Sequence, residues 1–517
     1  MDAEIIAKYD AARDFTNKPF RSACYAPFTS MVFDSIGRVR ICCANFEYIV
    51  GDIRSERLDA IWNGERMNQL RDALRSYDFR LGCGFCHWKI SVGDFEGKTL
   101  MNSSLMTMKY ESFPVESAPP YWPKHLEFHL SNVCNLECVT CFGEFSSLIR
   151  AKREGLPPIA CAYDDQFFAD LRKYLPHLEF AQFLGGEPFI IPEMHRVWDM
   201  LIEDGLTPNC HITTNGTVFS DRVERVLTHL PVSINVSADG ATKETFESIR
   251  TNAKFEKVMR NFRRFRDFIG EKGTVQFNFT LSRLNCHEFV DFLVMAESER
   301  APVSVSDLFE PKEYSLFMLP PEELARVVDQ MEKRMSEVES SLGRNRSVLV
   351  NRLGELRHRL RHGDERMFFE ERASVVGTFR RVADRAVSPD ELSATARGVL
   401  REWSHGGEVD SFSTDAADII TQGSFHPNGL FPDSPSLVGQ TVDDFFGRLK
   451  EAFGDQVTQI KVDTLPDYID RVVGFEDASR TRTVIRSFVI PRYESGVLAG
   501  AEVLLARLPH SDLVVLS

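Results

Sequence analysis

The stretch that decides the fold is Ser131–Asn132–Val133–Cys134–Asn135–Leu136–Glu137–Cys138–Val139–Thr140–Cys141. It sets three cysteines in a C-x3-C-x2-C array directly after Leu126–Glu127–Phe128–His129–Leu130. The alternation of apolar and polar residues in that run predicts a buried strand. The thiols then fall on the loop leaving the strand's C-terminal end, and His129 is expected to point back into the strand. Three thiolates in so short a loop can hold three irons of a 4Fe–4S cluster and leave the fourth iron open to a ligand. A closed structural metal site normally shows a fourth ligand nearby. The loop contains no further Cys or His.

Working outward, strands and helices alternate from residue 122 to 310. Strands are predicted at 178–184, 209–214, 233–237, 275–281 and 303–308, and helices at 163–174, 194–204, 223–230, 255–269 and 287–296. This is the pattern of parallel βα units. With the strand that ends in the Cys loop it gives a six-stranded α/β unit, the count of a partial (β/α)6 barrel. The candidate site residues fall at strand C-termini, where α/β folds place their chemistry.

A second cysteine group precedes this region. Cys24 opens an extended run, Ser35–Gly37 marks a turn, and a second short strand delivers Cys42 and Cys43. A helix with Leu58, Ile61, Trp62, Leu70 and Leu74 on one face leads to Cys83–Gly84–Phe85–Cys86. Glycines beside these thiols allow a metal to approach the backbone. Four thiols can thus converge: Cys24, Cys42 or Cys43, Cys83 and Cys86. C-x2-C knuckles are common zinc ligands, so zinc stands beside an iron–sulfur cluster as a reading of this group.

Composition narrows the classes. The chain has 517 residues, 43% hydrophobic and 26% charged, with a formal net charge of −15. That balance is of a soluble globular protein of several domains, and it argues against nucleic-acid binding, which wants a basic surface. The N-terminus lacks a basic segment followed by an apolar run, so no signal peptide is expected. No apolar run reaches the ~20 residues that span a bilayer. The expected compartment is the cytoplasm, without membrane association. There the eleven cysteines read as metal ligands rather than disulfides.

The C-x3-C-x2-C loop and the strand before it resemble the radical S-adenosylmethionine (SAM) superfamily, over roughly residues 122 to 310. The resemblance implies a 4Fe–4S cluster on Cys134, Cys138 and Cys141 that binds SAM and cleaves it reductively to a 5′-deoxyadenosyl radical. The family carries an aromatic residue just before the third Cys, near the adenine; here Thr140 stands there and Phe142 follows. Gly185–Gly186–Glu187–Pro188 resembles the family's GGEP motif. It implies backbone groups left free for the SAM ammonium, with Glu187 favouring positive charge. Thr213, Thr214 and Asn215 resemble the ribose- and carboxylate-binding strand end. Ser237, Asp239 and Arg250 resemble a Ser-x-Asp-Gly…Arg pattern that contacts SAM. The first cysteine group resembles the SPASM/twitch domains, which carry auxiliary 4Fe–4S clusters, although such domains usually follow the barrel. Carried over, Cys24, Cys42, Cys83 and Cys86 are the ligands and Cys43 is a spare or the second ligand.

The expected organisation is a twitch-like domain at 1–90, a linker at 91–121 and the barrel at 122–310. A helical hairpin then covers 311–404, from helical stretches at 322–362 and 368–403. An α+β accessory domain at 405–517, faintly PAS-like, has a helix at 442–453 and strands at 459–462, 483–490 and 497–507. Cys161, Cys210 and Cys286 belong to neither thiol group, and Cys210 reads as a small buried hydrophobe. The resemblance implies an oxidoreductase that abstracts hydrogen from a peptide or protein side chain, giving an oxidation or a cross-link. It also implies an electron donor such as flavodoxin or ferredoxin. The alternatives are dehydrogenation or epimerisation of a small metabolite such as a sugar or cyclitol, and an iron–sulfur redox sensor.

Overall fold

The structure is a computed structural model. It describes residues 3–13, 15–16, 18–45, 48–83, 86–87, 90, 110–308, 311–361, 394, 397, 401, 409–415, 457–465, 468–476, 482–494 and 497–507. The chain divides into two compact units, one of residues 1–44, 50–78 and 85–366, the other of 45–49, 79–84 and 367–517.

In the first unit six parallel strands follow one another: β4 (His125–Phe128), β5 (Phe180–Phe183), β6 (Asn209–Thr214), β7 (Val232–Ser237), β8 (Val275–Leu281) and β9 (Val303–Asp307). Between them run helices Asp165–Leu171, Pro192–Glu203, Asp221–His229 and Phe255–Ile269, and Phe289–Ser298 precedes β9. This is the expected partial (β/α)6 barrel. Helices Ser147–Lys152 and Lys243–Ile249 lie where the pattern predicts none. At about two turns or less, each is too short for an apolar period to register.

β1 (Ser30–Phe33), β2 (Arg38–Arg40) and β3 (Gly51–Asp52) continue the same sheet, in the order β3-β2-β1-β4-β5-β6-β7-β8-β9. β1 lies parallel to β4, with Met31 opposite Leu126 and Phe33 opposite Phe128. Strands of residues 30–52 and of 122–310, regions expected in separate domains, therefore share one sheet. Phe33 stacks on Phe128 at 5.7 Å and meets Phe167 edge-on at 5.3 Å, so the hairpin and the barrel bury one core. The hairpin turn is held by Asp34, whose Oδ1 accepts from Ile36 N and Arg38 N, and by Gly37 at φ 94°. After Cys24 the chain is not extended at once: Ala26–Thr29 makes a helical turn before β1. The helix expected to run through Leu58 and Leu74 is two helices, Leu58–Trp62 and Glu65–Arg75, broken at Asn63–Gly64.

The sheet has two unlike faces. Phe33, Phe128, Phe183, Ile212, Ile234, Val236, Phe277 and Phe279 are fully buried. Against them pack Trp198, Phe262 and Phe292 from the helices. The alternate residues face the inside of the partial barrel. Gln182, His211, Thr213, Asn235, Gln276, Asn278 and Thr280 are half-buried there. Gln276 Nε2 donates to Asn235 Oδ1 at 2.5 Å and Ser306 Oγ to Asn278 Oδ1 at 3.3 Å. At the strand N-terminal end, His125 is packed among Tyr110, Phe113 and Phe180.

Past β9 the expected long helix is a hairpin in itself: Pro321–Val338 turns through Gly343, at φ 44°, into Arg346–Arg361. Arg334 pairs with Asp291 at 2.7 Å and Arg352 with Asp307 at 2.9 Å, fixing both helices to the barrel. The expected second helical stretch, the helix at 442–453 and most of the linker lie outside the described residues, apart from a few single positions. In the second unit β10 (Val409–Asp415), β11 (Val457–Leu465), β12 (Tyr468–Glu476), β13 (Arg482–Glu494) and β14 (Val497–Arg507) form an antiparallel sheet, ordered β10-β14-β13-β12-β11. Of these, the sequence pattern predicts β11, β13 and β14. No helix among the described residues is long and apolar enough to cross a membrane.

If the hairpin and barrel share one core, Phe33→Ala should lower the stability of the whole first unit by about 3–5 kcal/mol. Equilibrium denaturation followed by barrel tryptophan fluorescence measures this. An unchanged barrel transition would refute the shared core.

Candidate active site

The Cys loop leaves β4 and is tied down on every side by backbone hydrogen bonds. Gly186 N donates to Ser131 O at 3.2 Å and Glu187 N to Val133 O at 2.8 Å, from the end of β5. Glu137 N donates to Thr251 O at 3.1 Å and Val139 N to Ile249 O at 2.9 Å, after β7. Asn132 closes the base: its Nδ2 donates to Gly143 O at 2.7 Å and its carbonyl accepts from Ser147 N at 2.7 Å. Arg153 covers the far end, donating to Cys138 O and to Cys141 O.

Cys134, Cys138 and Cys141 are all half-buried on this loop. Burial pushes the Cys134 thiol up to about 11 and Cys141 up to about 12, and Cys138 moves the same way. Neutral thiols crowded on one loop are suited to a metal group that displaces their protons. Cluster thiolates bind separate irons, so they need not meet at one point. Among the described residues no three ligand groups converge on a single ion position. Arg250 adds a second sign of fit. It pairs with Asp239 at 2.7 Å, lies within the field of Cys138 and Cys141, and keeps a buried Nε with no hydrogen-bond partner.

The GGEP glycines serve the loop itself. A Cβ at Gly186 would sit 2.1 Å from Val133 O, and Gly185 takes φ 119° against Ser131 and His129. The Gly186 and Glu187 amides are therefore occupied by the Cys loop. Glu187 is fully buried and accepts from Thr214 Oγ1 at 2.7 Å, Asn215 N at 2.7 Å and Phe189 N at 3.2 Å. Its carboxylate thus joins β5 to β6 rather than standing open. Burial pushes its carboxyl up to about 7. Pro188 starts the short helical turn that follows.

Thr213 and Thr214 point to opposite faces, Thr213 half-buried on the polar face and Thr214 toward Glu187. Asn215 Nδ2 lies 3.9 Å from Cys134 Sγ. Asp239 is further held by Thr280 N at 2.7 Å, and Ser237 is buried at the end of β7 beside Asn278. Phe142 is half-buried, its carbonyl accepting from Phe145 N and Ser146 N. His129 does turn back: its Nε2 lies 2.6 Å from Glu127 Oε1. Asn135, Thr217 and Arg153 complete the surroundings without any sequence motif to flag them. The asparagines flanking Cys134 in Asn132-x-Cys134–Asn135 were the available hint.

In the second thiol group, Cys24 lies within the electrostatic field of Cys42 and Cys86, and burial pushes its thiol up. Cys42 is buried and Cys43 half-buried. Tyr110, fully buried, lies in the field of Cys42, Cys43 and Glu127. In the second unit, Cys83 Sγ accepts from Asn45 Nδ2 at 3.5 Å. Cys161 is exposed beside Glu193, Cys286 is half-buried, and Cys210 is buried inside β6 as expected.

Comparison with known proteins decides the class. The radical SAM superfamily model matches residues 128–296, and an iron–sulfur cluster-binding domain, SPASM, matches residues 24–87. This is a radical SAM enzyme. Its barrel uses a 4Fe–4S cluster and SAM, and its SPASM domain carries an auxiliary iron–sulfur cluster. Among curated relatives, a GTP 3′,8-cyclase of Desulforamulus reducens is 25% identical over 171 residues, 32% of this chain and 50% of the relative. One of Clostridium botulinum is 22% identical over 181 residues, 35% of this chain and 54% of the relative. The chain thus spans about half the length of the curated relatives it matches. Among solved structures, anSMEcpe with bound AdoMet is 19% identical, covering 41% of this chain and 61% of that one at a TM-score of 0.33. Streptococcus suis SuiB bound to S-adenosylmethionine is 14% identical, covering 50% and 60% at 0.32.

Two substitutions test the geometry of this radical SAM site. Gly186→Ala should displace the Cys loop and lower the iron content of the reconstituted chain, with helical content by circular dichroism retained. Glu187→Gln tests the buried carboxyl. A carboxyl raised from 4.5 to about 7 in the folded chain makes the protein most stable below pH 4.5, with loss as pH rises through about 7. The Gln variant should lose that slope when metal-free protein is unfolded by urea at a series of pH values.

Proposed function

We propose that this radical SAM enzyme oxidises or cross-links a polypeptide side chain. The observation that carries the reading is the polar inner face onto which the Cys loop opens. It carries the carboxamides Gln182, Asn235, Gln276 and Asn278, a type of side chain whose donor and acceptor chemistry suits the amide groups of a peptide. Among the described residues of that face the arginines are Arg38 and Arg40, and both hold Asp34 below the usual carboxylate range.

A cluster held by Cys134, Cys138 and Cys141, with SAM on its open iron, supplies a 5′-deoxyadenosyl radical that removes a hydrogen atom from substrate. The protein's own contribution is position and dryness. Gly186 and Asn132 fix the loop, Arg250, held by Asp239, places a positive charge beside Cys138 and Cys141, and Glu187 locks β5 to β6. Ser237, Thr213 and Phe142 line the approach to the loop. We assign the auxiliary cluster to Cys24, Cys42, Cys83 and Cys86, with Cys43 as the alternative second ligand. Tyr110 lies in the field of Cys42, Cys43 and Glu127. Lys152 and Arg153, exposed beside the Cys loop, suit an acidic electron carrier such as flavodoxin or ferredoxin.

Reconstituted without oxygen and given SAM and a reductant, the full chain should form 5′-deoxyadenosine, and Cys134→Ala should abolish it. Iron of ~8 per chain supports two 4Fe–4S clusters, whereas ~4 iron with one zinc would overturn the auxiliary assignment. Perdeuterated cell extract, separated into polypeptide and small-molecule fractions, tests the substrate class. Deuterium should return in 5′-deoxyadenosine from the polypeptide fraction. Return from the small-molecule fraction alone would replace a peptide with a metabolite such as a sugar or cyclitol.

A further inference from the structure

We propose that Asn215 is a positioning residue for the cluster: its carboxamide N–H donates to the Cys134 sulfur and raises the reduction potential of the group bound there. The inference rests on the assignment of a 4Fe–4S cluster to Cys134, Cys138 and Cys141.

The orientation of the carboxamide follows from its partners. Thr217 N can only donate, and it lies 2.9 Å from one end of the Asn215 side chain, so that end is Oδ1. The NH2 therefore faces the Cys loop. One hydrogen is taken by Asn135 Oδ1 at 2.9 Å, and the other points toward Cys134 Sγ at 3.9 Å. The remaining bonds close a ring. Asn135 Nδ2 donates to Thr217 Oγ1 at 2.9 Å, and Thr217 Oγ1 donates to Asn215 Oδ1 at 2.6 Å. Such a cycle polarises each member and leaves the carboxamide no alternative rotamer with equal bonding.

The backbone is fixed as firmly. Asn215 N donates to buried Glu187, and Gly216, at φ 72°, turns the chain so that its carbonyl accepts from Asn261 Nδ2 at 2.8 Å. Asn215 and Thr217 are both buried, so water does not compete for the NH2. A hydrogen bond to a cluster sulfur stabilises the more negative, reduced state, which raises the potential. Asn215 therefore acts on the cluster through Cys134, although its strand end was expected to bind the ribose and carboxylate of SAM.

The experiment is an EPR-monitored redox titration of the reconstituted full chain without SAM. Asn215→Leu removes the N–H at similar volume and adds no charge. It should retain wild-type iron and sulfide while the ratio of reduced to oxidised cluster at a fixed potential falls about tenfold, a shift of about 59 mV for one electron. Thr217→Val, which removes the hydroxyl from the ring while the backbone N–H at 217 still holds Oδ1, should shift the potential in the same direction by less. An exchangeable proton coupled to the reduced cluster in wild type should vanish in the Leu variant, and its absence from wild type would overturn the proposal. An unchanged potential with full iron content overturns it equally. Wild-type protein that binds no iron through these three thiols overturns the cluster assignment instead.

Discussion

The arrangement depends on one close approach, the backbone of Gly186 against the carbonyl of Val133. There is no space for a side chain between them, since a Cβ would stand 2.1 Å from that oxygen. The approach lets the end of β5 donate two amides to the Cys loop. The loop's shape is therefore set by its neighbour strand. Glu187 then passes the same constraint to β6 through Thr214 and Asn215. Three strand ends become one rigid rim, and the thiols stand on it.

The second consequence concerns the two thiol groups. β1 pairs in parallel with β4, the strand that carries the Cys loop. The hairpin holding Cys42 is thus part of the barrel's own sheet. Position along the chain matters little once the pairing is made, because a strand can join either edge of an open sheet. An iron–sulfur domain that precedes the barrel joins it beside the barrel's first strand. Phe33 and Phe128 make that junction apolar and close-packed, so the hairpin cannot swing freely against the barrel.

Local patterns were legible, and contacts distant in sequence were not. Val275–Leu281 alternates buried and half-buried residues along its whole length, which its apolar–polar alternation already implies. Asn209–Thr214 and Phe255–Ile269 read equally well, because each is long enough to show its period. The C-x3-C-x2-C spacing carries its own chemistry. By contrast, nothing in Ser30–Phe33 says that it pairs with His125–Phe128, ninety-odd residues later. The ring of Asn135, Asn215 and Thr217 spans 82 residues, and no spacing rule links its members. The glycines of GGEP were legible as glycines, but their purpose was not. The Gly186 and Glu187 amides reach Ser131 and Val133, partners far back in the sequence that no local pattern names.

That difference bears on how the site is assembled. The carbonyls of Ser131, Asn132, Val133, Ile249 and Thr251 take part in holding the loop, and none of these contacts involves a thiol. Leu136, between the first two cysteines, is buried, and its carbonyl accepts from Ser146 Oγ at 2.7 Å. The loop conformation is accordingly specified by protein groups alone. Protein contacts thus place the three thiols without recourse to a metal. The thiols accordingly inherit their positions from the strand ends that hold the loop.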